Sequence, residues 1–555
     1  MKKLISSALL SVMAIPSFAI ATDDRVFILE DSYVSCMSHD GTQLTGDVED
    51  GSAIYYNIAT KEAYYYNQCS AGKGYCIADN KWVVGADMRD SGRAIVMTGG
   101  KSFTPAVFDA FPTSDIHGIT PDASRVCGVV GNPGPGVLNF PFYCDIDDDG
   151  NFGPVNILPT PEKDFFELHP QYCSAVWISD DGKTILGQVI DSKGIFVYPI
   201  LYTEGADGTW TYSFPSQKLF NPKNLPLPTP VGDFEDEFPD IPYPELENFM
   251  TPEEYELFQE ALFFWQENDM DPDLDPYEML DLFMTPEELA AYVSAVYTYN
   301  EAVEIYQVRL DEYLEQIYLI ADDSVFFLRN GMSMSSDGKM MSMSAVISVD
   351  TDDSFVDYYV PYLFNLENGD IKKIGTNDIS LVANVTLKDG TVIGTTPAPG
   401  MYTPDAAPPH SYIYLPSQDE FIPAEDFVSS LNAGYGQWMK DHLSGRVPIA
   451  LDPITGELVY KEMIVSGRMA VADDFSVIAG GVDGYSLNED MLFTYILEDV
   501  KNADVVEVAI DYPGDGIYTV YNLQGVKVME TDDPTLLHKL QKGIYIVNGK
   551  KHFIN

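Results

Sequence analysis

Apolar and polar residues alternate along most of this chain in short runs separated by Asp-Gly turns. The stretch from Val176 to Tyr202 shows the design: an apolar run through Ile178, the turn Ser179-Asp180-Asp181-Gly182, a second run ending at Gly187, and a third run through Pro199-Ile200-Leu201-Tyr202. Alternation rich in β-branched and aromatic residues predicts half-buried strands. Asp-Gly predicts a tight hairpin turn, because glycine takes positive φ and aspartate tolerates it.

Used as an index, the turn marks seven copies, at Asp40-Gly41, Asp90-Ser91-Gly92, Thr120-Pro121-Asp122, Asp181-Gly182, Asp337-Gly338, Asp389-Gly390 and Asp473-Asp474. A second landmark follows each one. Pro105–Phe108, Pro141–Tyr143, Pro199–Tyr202 and Pro361–Phe364 carry a leading proline, while Tyr55-Tyr56, Tyr412–Tyr414 and Leu492–Tyr495 hold the same place without it. A unit of three or four such strands cannot bury both faces alone, but copies stacked around an axis can. The expected fold is mainly β, a six- or seven-bladed β-propeller over residues 22–500.

The periodicity changes between the fourth and fifth copies. A Pro-rich entry from Asn221 to Phe249 leads to Thr251-Pro252-Glu253-Glu254 and, 34 residues on, Thr285-Pro286-Glu287-Glu288. Thr as N-cap, Pro at the first helical position and Glu in the first turn predict two helix starts. Leu257, Phe258, Leu262 and Phe263 on the first helix, and Leu289, Val293, Val296, Val303, Leu310, Leu314 and Ile317 on the second, recur at helical spacing. An α-helical hairpin inserted at 231–325 is expected. It is strongly acidic, with 27 Asp and Glu against Arg309 alone. The bland reading is a solvated surface, and the sharper one a docking arm for a basic partner.

Charge narrows the function classes. A formal net charge of −55 over 555 residues, with no Lys/Arg stripe, argues against nucleic acid or an anionic membrane as partner. At the N-terminus Lys2 and Lys3, the apolar run Leu4–Ile15 and Ala19-Ile20-Ala21 read as a secretory signal peptide, residues 1–21. The protein is expected to be exported, to the periplasm, the cell surface or beyond. An even cysteine count then permits disulfides, with Cys69–Cys76 the first pair expected and buried thiols the alternative for the rest.

Candidate chemistry is sparse. Asp145, Asp147, Asp149 and Asn151 place oxygens as in the first half of a Ca²⁺ loop, but Asn156 stands where the bidentate Glu belongs, so a plain hairpin is the favoured reading and weak Ca²⁺ binding the alternative. No nucleophile elbow, P-loop, dinucleotide fingerprint or HExxH is present, and the seven histidines lack metal-ligand spacing, so no catalytic residues and no other cofactor are expected. Trp82, Trp177, Trp210 and Trp438 suit either sugar stacking or the blade core.

Two resemblances add to this. The Ile-Ser-x-Asp-Gly turn with its downstream glycine and aromatic strand resembles the HAF-type extracellular repeats of secreted bacterial proteins, which implies a propeller-like exported protein. Residues 503–555, with Tyr521-Asn522-Leu523-Gln524-Gly525-Val526-Lys527-Val528 and Leu540-Gln541-Lys542-Gly543-Ile544-Tyr545-Ile546-Val547-Asn548-Gly549-Lys550-Lys551, resemble the C-terminal sorting domain of the Bacteroidetes type IX secretion system. That resemblance implies a small C-terminal β-sandwich read by export machinery, although the family's Pro-Asn-Pro opening is replaced by Asp511-Tyr512-Pro513-Gly514-Asp515. The expected function is binding of a protein or glycan at the cell envelope through a propeller face. A propeller-based carbohydrate-active enzyme is the alternative, signalled by carboxylates or a His converging in the central pocket. A structural surface protein is the third reading.

Overall fold

The computed structural model describes residues 26–501 and 518–554 except 49–50, 89–91, 132–138, 163–169, 192–196, 221–224, 233, 268–275, 278, 322–325, 351–354, 376–379, 397–409, 452–457, 465, 483–491, 523–526, 532–542 and 548–549. The expected signal peptide and most of the segment joining the two expected helices, 268–275, lie outside the described residues. The chain is mainly β, and most strands fall in consecutive four-stranded antiparallel groups of the propeller kind; a parallel pairing of Asn139 with Tyr172 joins the third group to the fourth, and Ser444–Leu451 with Leu458–Ile464 forms a separate two-stranded ribbon.

The first sheet starts at Ser32–Met37, the second at Cys69–Ala71, the third at Ser114–Ile119 and the fourth at Pro170–Ile178. The fifth starts at Phe326–Met334 and the sixth at Val382–Thr386. The seventh takes Met469–Val471, Ile478–Val482 and Phe493–Leu497 from one end of the chain and its outer strand, Val26–Glu30, from the other. Each sheet touches the next, and the seventh touches the first. That last seam holds because Thr494 Oγ1 donates to Ser32 O at 3.0 Å and the Arg468 amide to the Tyr33 hydroxyl at 3.0 Å. Its apolar filling is Leu29, Val34, Met37, Leu44, Ala470, Ala472 and Ile496, all buried.

The index turns explain the repetition. In seven places the first turn residue accepts from the amide of the fourth at 2.9–3.0 Å, and the fourth takes positive φ. Those fourth residues are Gly41, Lys81, Ala123, Gly182, Gly338, Gly390 and Phe475. The third residue is always Asp or Asn, and its Oδ1 accepts the amide two residues on at 2.8–3.2 Å. The sequence-level index was therefore wrong in one place. The second sheet carries its turn at Ala78-Asp79-Asn80-Lys81, not at Asp90–Gly92. The latter connects that sheet's second and third strands, and its first residues lie outside the described set.

A second device lies one strand inward. Gly46, Gly128, Gly187 and Gly394 each sit opposite a bulge in the innermost strand, where Ser35, His117, Val176 or Asn384 is the additional residue. At Gly187 a Cβ would come within 2.2 Å of Ser174 O, so close backbone approach requires glycine there. Bulges re-aim side chains, and Ser35 and Asn384 now line the central axis.

The helices Pro252–Glu267 and Pro286–Ala321 rise between the fourth and fifth sheets. Both start as expected: Thr251 and Thr285 Oγ1 accept the Glu254 and Glu288 amides at 3.3 Å, and those carboxylates accept the Thr251 and Thr285 amides at 2.8 Å. Met250, Phe258 and Met284 form the arm's own small core, while Leu310, Tyr313 and Ile317 anchor the long helix in the cluster shared by the third, fourth and fifth sheets. At the C-terminus the described strands form one sheet, in the order Lys527–Thr531, Tyr518–Asn522, Gly543–Val547, Lys550–Ile554.

A glycine pair tests the seam. Gly41 has φ +71, and a Cβ there would lie 2.9 Å from Ala472 Cβ, whereas Gly51 has φ +78 with open space around it. Both Ala variants incur the backbone term, but Gly41→Ala also strains the closure. Urea unfolding should show Gly41→Ala losing roughly 1–3 kcal/mol more than Gly51→Ala; equal losses would show that the seam yields freely.

Candidate functional site at the axial mouth

With the third turn residue committed to capping and the fourth to backbone geometry, the second is the position left to vary. In chain order it is His39, Asp79, Pro121, Asp180, Ser336, Lys388 and Asp473. These residues converge at one end of the axis. Their backbones link neighbouring turns: Asp79 N donates to Pro121 O at 2.8 Å, Asp180 N to Ser336 O at 2.7 Å, and Asp473 N to His39 O at 3.0 Å.

Their side chains reach across. His39 Nδ1 lies 3.1 Å from Asp180 Oδ1, joining the first sheet to the fourth. Lys388 Nζ lies 3.1 Å from Asp473 Oδ2 and 3.9 Å from Asp180 Oδ2, and Ser336 Oγ donates to Asp473 Oδ2 at 3.1 Å. Tyr75 stacks on the His39 ring with centroids 4.2 Å apart, and its hydroxyl accepts the His39 amide at 3.4 Å. The cluster is not sealed, since the Asp180 and Lys388 side chains are 37% and 49% exposed. Beneath it a cavity of about 50 Å³ is lined by Cys36, Trp177, Met334 and Val471 among others. That volume suits a few waters and falls well short of the ~300 Å³ at which small-molecule sites begin.

The electrostatics are mixed in sign. Burial alone would lower the pKa of His39, but the Asp180 hydrogen bond and the charges of Asp180 and Asp473 raise it above its ordinary value. Burial also opposes the charge on Lys388, yet the Asp473 carboxylate holds it above the usual lysine range. Asp79 is pushed up by burial, then by Asp40. The arrangement presents donors, acceptors and both charges to whatever meets the mouth.

The other candidates lie elsewhere. Asp147 Oδ1 accepts the amides of Asp149 and Asn151 at 3.0 and 2.8 Å, and Asp145 Oδ1 accepts from Arg125 Nε at 2.6 Å. The Asp145 and Asp147 carboxylates are thus engaged by Arg125 and by the hairpin. Among the described residues no group of three or more His, Cys, Asp and Glu is placed to hold a metal ion. The tryptophans pack inward: Trp82 stacks on Phe152, Trp177 donates to Met332 O at 3.0 Å, Trp210 packs on Tyr143, and Trp438 stacks on His442. All six cysteines are buried thiols, so the Cys69–Cys76 bridge that the loop spacing suggested is not formed.

No protein-family model matches the chain, and no curated protein matches it. Solved structures similar to it include the β-propeller domain of the Trilobed protease from Pyrococcus furiosus, at 8% identity over 84% of this chain and 95% of that one, with a TM-score of 0.35. The Myceliophteria thermophila Cps50 (Swd1) β-propeller domain is similar at 8% identity over 83% and 96%, with a TM-score of 0.33. The tricorn protease is similar at 10% identity and a TM-score of 0.31; 74% of this chain is covered, and it spans 33% of that protein.

The raised His39 pKa makes a signed prediction. A histidine whose folded pKa exceeds the unfolded 6.5 stabilises fully below 6.5, and that contribution is lost as pH rises through the folded value. Denaturation midpoints should therefore fall as pH rises from 6.5 through the raised folded value, and His39→Gln should remove that slope. An unchanged slope in the variant would assign the titration to another group.

Proposed function

We propose that the chain is an exported protein of the cell envelope, a seven-bladed propeller that binds a protein or glycan through the face bearing the index turns. One observation carries the reading: seven turns of fixed geometry each deliver one variable side chain to a common ring. A scaffold that holds backbone geometry constant and varies one projecting residue suits recognition. The small cavity beneath leaves the mouth and surrounding loops as the surface a partner meets. Export and surface delivery, through the signal-peptide-like start and the sorting-like C-terminal segment, complete the proposal.

A carbohydrate-active enzyme is the second reading, favoured by His39, Asp180 and Asp473 meeting at the axis. Glycosidic cleavage by two carboxylates needs one to act as acid, with the sugar between them. Here Lys388 and Ser336 occupy Asp473, and His39 and Lys388 face Asp180. That pairing suits binding better than proton transfer.

A glycan array and an envelope-extract pull-down with the mature protein test both readings. Binding should weaken at least about tenfold in Asp180→Ala/Lys388→Ala, as when several ring contacts worth ~1–2 kcal/mol are removed, with unchanged circular dichroism. Retained binding would move recognition off the mouth. Release of reducing sugar that Asp473→Asn abolishes would establish the enzyme instead.

A further inference from the structure

The long helix of the arm, Pro286–Ala321, is anchored along one side. On that side Tyr299 and Tyr306 pack against the Phe234 ring, with centroids 5.1 and 5.6 Å apart, and Leu310, Tyr313 and Ile317 enter the core of the third, fourth and fifth sheets. Helical geometry puts Val293, Tyr297, Val308 and Leu319 on the opposite side, with Glu301, Glu304 and Glu315 between them. All seven are exposed, Tyr297 and Leu319 to 73% and 75%. At ~1.5 Å per residue the stripe is about 39 Å long. Exposure of this kind is concentrated on the arm. Of the nineteen large apolar side chains exposed among the described residues, eleven lie between 231 and 325. Single exposed apolar residues need no explanation, whereas a continuous stripe with a polar rim marks a contact surface.

We propose that this outward stripe docks a cationic amphipathic helix of a partner protein. The partner's apolar residues meet Val293, Tyr297, Val308 and Leu319, and its Lys and Arg side chains meet the intervening glutamates. The surface is separate from the axial ring, so the proposal does not rest on the mouth being a binding face.

Charge selects the occupant. Residues 231–325 carry 27 Asp and Glu, and their one basic residue, Arg309, is already paired with Glu237 at 2.5 Å. The interleaved carboxylates therefore have to be answered by the incoming chain. A second copy of this chain would set glutamates against glutamates, and an anionic lipid surface would be repelled in the same way. A purely apolar partner would strip water from the carboxylates and return no hydrogen bond. A helix with positive charge beside its apolar seam satisfies both demands, as the e and g positions of a coiled coil do.

Fluorescence anisotropy with the full chain tests this. The probe is a labelled peptide with Leu at helical spacing and Lys flanking that face. Its controls are a scrambled peptide of the same composition and a version with Glu for every Lys. The probe should bind, more weakly as salt is raised, and each control should bind at least about tenfold less tightly. Tyr297→Ser/Leu319→Ser should lower affinity about tenfold, with unchanged circular dichroism because both side chains are exposed. Glu304→Gln/Glu315→Gln should flatten the salt dependence. Met88→Ser, an exposed apolar change outside the arm, should alter neither. Equal binding of the scrambled peptide would reduce the arm to a nonspecific acidic surface, and equal binding of the Glu version would remove charge as the selector. Either result overturns the proposal. So would failure of the probe to bind, wild-type affinity in Tyr297→Ser/Leu319→Ser, or sedimentation showing a dimer that this variant abolishes.

Discussion

The structure depends on one small hydrogen-bonded unit: a carboxylate or amide oxygen that accepts the amide two residues on, next to a residue held at positive φ. That unit reverses the chain in a fixed geometry seven times over. Because the reversal is rigid, each turn can lean on its neighbour. Arg125 Nη1 donates to Gly182 O at 2.8 Å, the open side of Gly338 faces Ser179 and Thr184, and Gly41 faces Ala472. Buried amides and carbonyls at the seams are thereby paired between sheets, which a looser turn could not arrange without leaving polar groups stranded. The ring then closes with an N-terminal strand inside a C-terminal sheet, so unravelling either end removes ladder hydrogen bonds as well as packing.

How far the sequence was legible follows from the same unit. Four turns announce themselves because glycine is the inexpensive residue at positive φ. Lys81, Ala123 and Phe475 hold that conformation without glycine, at a cost of roughly 1–2 kcal/mol each; Ala123 and Phe475 are buried in the core that sustains it. Lys81 broke the Asp-Gly pattern, so the reading slid to Asp90–Gly92, which lies between the wrong pair of strands. The capping Asp was visible in the other six turns, and Asn80 was missed. The ring was hidden because variability is its defining feature: His39, Lys388 and Asp473 share no residue type, and only a correct index aligns them. The arm's helix starts were legible because capping boxes are local.

Charge is distributed to suit this division of labour. The acidic arm meets the sheets through Leu310, Tyr313 and Ile317, a contact that does not set its carboxylates against those of the ring. Arg309 is spent on Glu237 within the arm itself. At the mouth, by contrast, acids are interleaved with Lys388 and His39, so the second turn positions approach one another without the repulsion a uniformly acidic ring would generate at their spacing.

The ring and the axial cavity share a wall, since Tyr75 stacks on His39 and both side chains line the cavity beneath. The glycine-faced bulge at Ser35 is what places these groups in reach, since it shifts the register of the innermost strand just ahead of Cys36. Bulge, cavity and polar ring thus coincide at one end of the axis, and the coincidence follows from the turn and the bulge sharing the innermost strand.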